Sequence, residues 1–458
     1  MTGLIIAAPS SGAGKTTVTL ALLRLLSRHG IPVRGAKSGP DYIDPAFHTA
    51  ACGKPCMNLD AWAMSPQRIT SLAAGDDTLI IEGAMGLFDG APPDGRGAVA
   101  DLARLLRMPV ILVVDAGRMS QSVAPLCMGF ANHDPNVCIA GVILNNVASP
   151  RHEAMLRRAL EPTGLTLLAT LPRSGDLRMP SRHLGLVQAQ ERGDLDDFLN
   201  RAADWLAPRI DLRAIMAIAQ AAPFGAPTLP ANAATGQPRT ATQAPTPRAR
   251  PTPTSALGLP PPAQTIAIAQ DCAFAFAYPH MLADWRRAGA EIRFFSPLAD
   301  DPVPDAGFVF LPGGYPELHA ERIAAASRFM TSLRTAAETT PIYGECGGYM
   351  VLGQRLVDAD GRSHAMAGLL SLETSFETRR LHLGYRRLTA LGGPFPGQVT
   401  GHEFHYATTL RASGDPLFAA KDAENTDLGQ IGLRHGVVSG SFAHVIDRSP
   451  DAWPPATP

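Results

Sequence analysis

The fold of the first half of the chain follows from a segment near its start, Leu4-Ile5-Ile6-Ala7-Ala8-Pro9-Ser10-Ser11-Gly12-Ala13-Gly14-Lys15-Thr16-Thr17. Its first five residues are apolar and predict a buried strand, and a helical pattern follows it. Glycines between a strand and a helix let backbone amides surround phosphate oxygens, and the following lysine reaches the terminal phosphates. Pro9 stands where the usual pattern opens with glycine. The residues predicted to bind ATP are Gly12, Gly14, Lys15, Thr16 and Thr17.

Short apolar runs alternate with helical patterns through the rest of the first 222 residues. Continuous Val, Ile and Leu runs are typical of strands covered on both faces, so this part is predicted to be an α/β domain with a parallel sheet. Ligands bind beyond the carboxyl ends of the strands in such sheets. The polar residues at those predicted ends are Lys37, Glu82, Asp115 and Asn145.

Acidic residues follow two of these strands and are candidates for binding magnesium. Asp41 and Asp44 lie three residues apart in the segment 37–45, and Glu82 opens the segment that reaches Asp89. Hard oxygen ligands of this kind suit magnesium beside a nucleotide, although a helix cap or a turn is the alternative for each acid. Asn145 is either a reader of the nucleobase edge or a turn residue.

A second informative loop, Gly344-Glu345-Cys346-Gly347-Gly348, lies between a short predicted strand and a helical pattern. Flanking glycines permit the sharp turn that exposes a nucleophile, and the start of a helix is expected to lower the pKa of the thiol. We therefore predict that Cys346 is a nucleophile. The backbone amides of Gly314 and Gly347 are candidates for stabilising an oxyanion, with a plain tight turn as the alternative at Gly314.

A cysteine nucleophile needs an imidazole base, which need not be close to it in the sequence. The candidates are His402, His405, His435 and His444, and the residues alone do not choose among them. A phosphate loop and a thiol nucleophile on one chain together favour ATP-driven amide formation with ammonia drawn from glutamine.

Composition favours small-molecule partners. A formal net charge of −1 gives no electrostatic reason to bind nucleic acid or an anionic membrane, and the apolar run 4–8 is too short to span a bilayer. The six cysteines form neither a disulfide framework nor a zinc spacing, which predicts reduced thiols and a cytoplasmic protein.

Residues 223–262 contain eleven prolines, three arginines and no acidic residue. Such a stretch buries too little apolar surface to offset its ordering entropy, so it is predicted to be a linker. The predicted domains are therefore 1–222 and 263–450, followed by a tail at 451–458. Both are predicted to be α/β.

The chain closely resembles the cobyrinate or hydrogenobyrinate a,c-diamide synthases of the corrinoid pathway. The likeness spans nearly all of both predicted domains and rests on long strings: KSGPDYIDP from Lys37, EGAMGLFDG from Glu82, PSRHLGLVQA from Pro180, LPGGYPELHA from Leu311, YGECGGYM from Tyr343 and GHEFHY from Gly401. It implies a dethiobiotin-synthetase-like ATP domain joined to a triad-type (class I) glutamine amidotransferase domain.

The resemblance also implies a reaction in cobalamin biosynthesis. Cys346 attacks the glutamine amide with His444 as its base, and ammonia passes internally to the ATP domain. There, ATP and Mg²⁺ convert the c and a carboxylates of the corrinoid to acyl phosphates, and ammonia displaces the phosphate. By resemblance, Asp41, Tyr42, Asp44, Glu82 and Asp89 contact the metal, the intermediate or the substrate. Asp44 and Glu82 are the predicted metal ligands together with Thr16, Asn145 is a predicted ATP residue, and Asp41, Tyr42 and Asp89 are assigned to substrate or intermediate. Arg182 lies in the cation-rich segment 178–183 and is either a clamp for a substrate carboxylate or part of a solvated basic loop. A homodimer is compatible with this assignment.

The chain departs from the usual glutaminase pattern at one position. A glutamate often stands two residues after the base histidine to orient it, but this chain has Ile446 there. The ending from Gly440 to Asp447 favours, by resemblance, the cobalt-free ring as substrate. Two alternatives are a cobyric acid synthase-like amidase of other side chains and a nucleotide-dependent regulator without catalysis.

Overall fold

The structure is a computed structural model that describes residues 2–177, 181–182, 185–186, 188–221 and 258–450. In the first part the strands are β1 (Gly3–Ala7), β2 (Val33–Ser38), β3 (Met57–Leu59), β4 (Thr78–Glu82), β5 (Val110–Asp115), β6 (Ile139–Val147), β7 (Leu167–Pro172), β8 (Ser181–Arg182) and β9 (Gly185–Leu186). The helices are α1 (Lys15–Arg28), α2 (Asp44–Cys52), α3 (Pro66–Ala73), α4 (Val99–Leu106), α5 (Val123–His133), α6 (Pro150–Leu160), α7 (Leu195–Leu206) and α8 (Leu212–Gln220).

Strands β1 to β7 form one parallel sheet in the order β3-β2-β4-β1-β5-β6-β7. The predicted parallel α/β domain is confirmed. Because β1 lies in the middle of the sheet, the phosphate loop that follows it is central at the carboxyl edge. Strands β2, β4, β5 and β6 end at the same edge, which is where ligands bind in sheets of this kind. The apolar runs 4–8, 33–37, 78–81, 110–114, 137–144 and 165–170 predict the other six strands, but β3 is not predicted because its three residues are too few to show a pattern.

In the second part the strands are β10 (Thr265–Ala269), β11 (Glu291–Phe295), β12 (Phe308–Leu311), β13 (Ile342–Glu345), β14 (Arg355–Val357), β15 (Ser363–Ala365), β16 (Leu372–Ser375), β17 (His382–Ala390), β18 (Gln398–His405), β19 (Thr408–Ala412), β20 (Phe418–Lys421), β21 (Asp427–Ile431), β22 (Leu433–His435), β23 (Val438–Ser441) and β24 (His444–Arg448). The helices are α9 (Pro279–Arg287), α10 (Ala320–Ala325), α11 (Ser327–Ala336) and α12 (Gly347–Leu352).

These strands form three sheets. The first has the order β11-β10-β12-β13-β23-β22 and is parallel except for β22. The other two have the orders β15-β14-β16-β19 and β21-β20-β17-β18-β24 and are largely antiparallel. Four apolar runs predict strands in this part, at 265–269, 292–295, 308–311 and 341–343, and they lie close to β10 through β13. Strand β23 and the antiparallel strands are not predicted, because segments such as β17 mix charged and apolar residues without a continuous run.

Buried polar contacts join the two parts of the chain. Arg68 on α3 is 2% exposed and forms ion pairs with Asp284 and Asp447, the latter through Nε at 2.7 Å. Trp62 stacks on Tyr385 with ring centroids 4.3 Å apart. Breaking a buried ion pair leaves an uncompensated charge, so these contacts fix how the parts are docked.

The predicted linker 223–262 lies outside the described residues up to position 257, and the predicted tail 451–458 lies outside them entirely. Leu259, near the end of that linker, is buried. Every helix in the described ranges is too short or too polar to traverse a lipid bilayer.

Candidate active sites

The phosphate loop has the backbone shape that its glycines predict. Gly12 and Gly14 have φ of 82° and 95°, a left-handed region that glycine adopts without strain. Lys15 Nζ donates to the carbonyl oxygens of Ser10 at 3.2 Å and Met85 at 2.5 Å, which holds the ammonium over the loop. Burial lowers the pKa of Lys15 to about 8. A phosphate placed on this loop would meet a cation that is already oriented.

A cavity of about 640 Å³ opens beside the loop, with a volume that suits a small-molecule ligand. It is lined by Gly12, Gly14, Thr17, Asp115, Gly117, Arg118, Asn145, Asn146, Arg173, Ser174, Leu177 and Trp205. Asn145 Nδ2 donates to the carbonyl oxygen of Ala13 at 2.9 Å, so this side chain braces the phosphate loop from the cavity wall.

Lys37, at the end of β2, is the centre of a buried charge cluster. Its Nζ lies 2.5 Å from Asp44 Oδ2, 2.9 Å from Glu82 Oε1 and 3.8 Å from Asp41 Oδ2. Burial alone would lower the pKa of Lys37, but Asp44 and Glu82 raise it well above its usual value. The cluster therefore keeps a fixed positive charge between two carboxylates at the sheet edge.

Glu82 links the phosphate loop to α2. Its Oε1 accepts a hydrogen bond from Thr16 Oγ1 at 2.6 Å, and its Oε2 accepts one from His48 Nε2 at 2.6 Å. Burial would raise the pKa of Glu82, but Lys37 and His48 hold it well below its usual value, so Glu82 is ionised. Burial raises the pKa of Asp44 to about 7, with the charge of Asp41 adding to the effect. The sequence gives no signal for the role of His48.

The three predicted magnesium ligands lie together. Thr16 is hydrogen-bonded to Glu82, and Glu82 and Asp44 share the ammonium of Lys37. A hydroxyl and two carboxylates are hard oxygen donors, and the two carboxylates already pair with one cation, the ammonium of Lys37. The donor set therefore fits Mg²⁺.

The predicted substrate residues Asp41 and Asp89 have local partners. Asp41 Oδ1 accepts hydrogen bonds from the amides of Ile43 and Asp44 at the start of α2, and Asp89 Oδ2 accepts one from Gly86 at 2.9 Å. These contacts match the cap and turn alternatives, and a role with substrate stays a prediction for both. The side chain of Arg182 lies outside the described residues.

Cys346 lies on the sharp turn between β13 and α12. Its φ is 46° and its ψ is −103°, a strained conformation for a residue with a side chain and one found at nucleophile elbows. Burial, followed by the charge of Glu317, raises the pKa of the thiol, and a hydrogen bond from the Gly347 amide does not offset this. The expected lowering of that pKa is thus wrong, because desolvation outweighs the start of a six-residue helix. A protonated thiol needs a base.

His444 is the histidine beside Cys346. A Cβ placed on Gly313 would lie 2.9 Å from His444 Nε2 and 3.2 Å from Cys346 Cβ, so the two side chains meet over this glycine. His444 is fully buried, and neither of its ring nitrogens has a hydrogen-bond partner within the described residues. An imidazole placed this way can accept the thiol proton.

The other candidate bases have different surroundings. His402 is the strand partner of His444, and burial lowers its pKa to about 3. His405 Nε2 bonds Glu403 Oε1 at 3.0 Å, and His435 is exposed at the end of β22. The geometry therefore favours His444 as the base.

The two predicted oxyanion amides lie close together. A Cβ placed on Gly347 would lie 3.0 Å from the backbone nitrogen of Gly314. A side chain there would fill the space between the two amides, so glycine keeps it open. Two neighbouring amides beside a nucleophile are candidates for stabilising an oxyanion.

Tyr42 connects the two candidate sites. It belongs to the loop that carries Asp44, yet its ring stacks on His444 with centroids 4.6 Å apart and on Phe276 with centroids 4.3 Å apart. Its hydroxyl donates a long hydrogen bond of 3.5 Å to the carbonyl oxygen of Phe404. Tyr42 is predicted to contact the substrate or intermediate, which stays a prediction, and no sequence signal indicates its contact with the base.

Residues 4–187 match the family model described as the CobQ/CobB/MinD/ParA nucleotide binding domain, and residues 265–452 match the CobB/CobQ-like glutamine amidotransferase domain. Curated relatives from several bacteria carry the name hydrogenobyrinate a,c-diamide synthase. The relative from Brucella abortus biovar 1 (strain 9-941) is 52% identical and covers 99% of this chain and 100% of its own length. The relative from Rhodobacter capsulatus is 51% identical and covers 97% of this chain and 98% of its own length. The relative from Rhizobium meliloti (strain 1021) is 50% identical and covers 98% of this chain and 100% of its own length.

Proposed function

The chain belongs to the hydrogenobyrinate a,c-diamide synthase family of amidating ligases, and on that premise we propose that it converts the a and c side-chain carboxylates of hydrogenobyrinic acid to amides. It has the nucleotide-binding and glutamine amidotransferase domains of an enzyme of cobalamin biosynthesis, with ATP as co-substrate. The main support for the proposal is that the segment 37–44 contacts both sites. Its Lys37 and Asp44 form the charge cluster beside the phosphate loop, and its Tyr42 stacks on His444.

The ATP domain activates the ring carboxylate. Lys15 and the loop amides bind the transferred phosphoryl group, and Lys37 offsets the negative charge gathered beside it. The carboxylate oxygen attacks the γ-phosphorus as the bond to ADP breaks, giving an acyl phosphate. Ammonia then attacks the acyl carbon and phosphate leaves, so one ATP is consumed for each amide formed.

Thr16, Asp44 and Glu82 would hold Mg²⁺ beside the phosphates. When bound, the ion neutralises negative charge on the phosphate oxygens. Lys37 already pairs with both carboxylates, which orients them and keeps Glu82 ionised.

The amidotransferase domain supplies the ammonia. Cys346 Sγ attacks the glutamine amide carbon while its proton passes to His444 Nε2, and the amides of Gly314 and Gly347 stabilise the oxyanion. His444 returns the proton to the departing nitrogen, which leaves as ammonia. His444 Nε2 then takes a proton from water, and the resulting hydroxide attacks the thioester carbon. Glutamate leaves, and His444 returns the proton to the Cys346 thiolate, which restores the thiol.

Tyr42→Leu tests whether Tyr42 supports the base His444 or contacts the corrinoid substrate. Loss of the stacked ring should lower glutamine-dependent amidation by about 2- to 10-fold, because an aromatic pair contributes on the order of 1 kcal/mol. Amidation from ammonium salts should change little, and Tyr42→Phe, which keeps the ring, should behave like the unmodified chain. An equal loss with both nitrogen sources would instead assign Tyr42 to the substrate.

Mass spectrometry of the product tests the ring assignment. The purified chain is given Mg²⁺-ATP and glutamine with hydrogenobyrinic acid or, separately, with cobyrinic acid. We expect two carboxylates of the cobalt-free ring to become amides and the cobalt-containing ring to react more slowly. Amidation of further side chains would favour a cobyric acid synthase-like activity, and no amidation of either ring would contradict the proposal. A homodimer in the cytoplasm stays a prediction.

A further inference from the structure

An apolar residue occupies the position from which a glutamate often orients the base histidine. Ile446 is 1% exposed and packs in the hydrophobic core, and its carbonyl oxygen accepts a hydrogen bond of 2.8 Å from His280 Nε2. The side chain at 446 therefore offers His444 no hydrogen bond. A base in a thiol nucleophile pair needs its ring fixed in one orientation and one tautomer, so another group must do this.

Glu345 faces His444 from the other side. Its Oε2 lies 3.6 Å from His444 Nδ1, and both side chains are at most 1% exposed. Both atoms are unpaired by hydrogen-bond geometry within the described residues, and the hydroxyl of Tyr343 is the other polar group beside the Glu345 carboxylate. Leaving a buried donor or acceptor unpaired is costly, so two such atoms that face each other are natural partners. Catalytic hydrogen bonds are often long in an unliganded enzyme and shorten when the substrate binds.

The backbone around Glu345 holds its carboxylate in this place. Oε1 accepts a hydrogen bond of 2.9 Å from the amide of Val445, the residue after the base. Glu345 is the last residue of β13 and is paired in register with Ser441 on β23. Ser441 Oγ donates to the carbonyl oxygen of Ala443 at 3.1 Å and closes the short turn that leads to His444. The carboxylate is thus fixed by the strand that also delivers the nucleophile.

We propose that Glu345 is the positioning residue of His444. Its Oε2 accepts the Nδ1–H of the ring, which leaves the lone pair of Nε2 directed to Cys346. The carboxylate also stabilises the imidazolium that forms when Cys346 gives up its proton. This inference rests on the proposed role of His444 as the base and deepens it, because it gives the missing orienting function to the residue before the nucleophile.

Glu345→Gln tests the proposal with little change in shape. The amide oxygen can keep the hydrogen bond from Val445, and the amide NH₂ then faces Nδ1. The ring would be driven to the tautomer that carries its proton on Nε2, where it cannot accept one from Cys346. We expect kcat for glutamine hydrolysis to fall by on the order of 10²- to 10⁴-fold, as expected when a base is held in the wrong tautomer, with KM for glutamine nearly unchanged.

Two companion measurements separate this role from others. Amidation from ammonium salts should be retained in Glu345→Gln, because the ATP domain is untouched. Glu373→Gln, which removes a carboxylate paired with Arg355 in the same domain, should leave glutamine hydrolysis as it was.

The positioning role predicts a fall of at least about 100-fold in kcat for glutamine hydrolysis. If kcat of Glu345→Gln stays within about threefold of the unmodified value, that role is overturned. A rise in KM alone, or equal loss of the ammonia-dependent reaction, would also overturn it by indicating glutamine binding or support of the fold. If His444→Ala hydrolyses glutamine normally, the proposed base itself is wrong, which distinguishes the two failures.

Discussion

Lys15→Ala is expected to stop amidation with either nitrogen source. The ammonium of Lys15 is held over the phosphate loop by the carbonyl oxygens of Ser10 and Met85, where it would meet the phosphates of ATP. A fixed cation that stabilises charge developing in the transition state is worth at least about 100-fold in rate. We therefore expect kcat for amide formation to fall by at least that factor when either glutamine or an ammonium salt is supplied.

Glutamine hydrolysis without corrinoid should survive in Lys15→Ala, because Cys346 and His444 lie in the other domain. Lys54→Ala is a matched control, since Lys54 forms only a half-exposed ion pair with Asp77 and should amidate like the unmodified chain. Normal amidation by Lys15→Ala in a product assay would contradict the assignment of the phosphate loop to ATP.

Cys346→Ala is expected to lose the use of glutamine but to keep amidation from ammonium salts. Without the thiol no thioester forms, so glutamine hydrolysis and glutamine-dependent amidation should fall below detection, a loss of at least about 10³-fold for a missing nucleophile. Amidation from ammonium salts should persist, because the ATP site keeps its residues. Product amides measured with each nitrogen source at matched ATP give the comparison.

Cys127→Ala is the control for this substitution. Cys127 is also a buried thiol, and burial raises its pKa to about 11, but it lies on α5 of the ATP domain. It should use both nitrogen sources normally. If Cys346→Ala loses both activities equally, the two chemistries do not occupy separate sites.

The ATP site could be predicted well from the sequence because its signals are local. The strand, the loop and α1 follow one another directly, and the predicted ligands Thr16, Asp44 and Glu82 lie together in the structure. Lys37 is predicted at a strand end, but its ion pairs depend on how far each neighbouring strand extends, which a single segment does not reveal.

The contacts of His444 could not be predicted, because they depend on how distant segments dock. The stacking of Tyr42 joins residues from opposite ends of the chain, and the approach of Glu345 depends on the pairing of β13 with β23. The thiol pKa was predicted in the wrong direction for a related reason. The start of a helix is visible in the sequence, whereas the burial that outweighs it comes from packing.

The origin of the nitrogen in the product amides shows whether the two sites work together on one substrate. The purified chain is given hydrogenobyrinic acid, Mg²⁺-ATP and glutamine labelled with ¹⁵N at its side-chain amide, in the presence of unlabelled ammonium chloride at a concentration that by itself supports little amidation. We predict a ring product with two amides that both carry ¹⁵N, because ammonia released at Cys346 reaches the acyl phosphate without mixing with the solution. A product in which the label is diluted to the level of the surrounding ammonium would contradict the account.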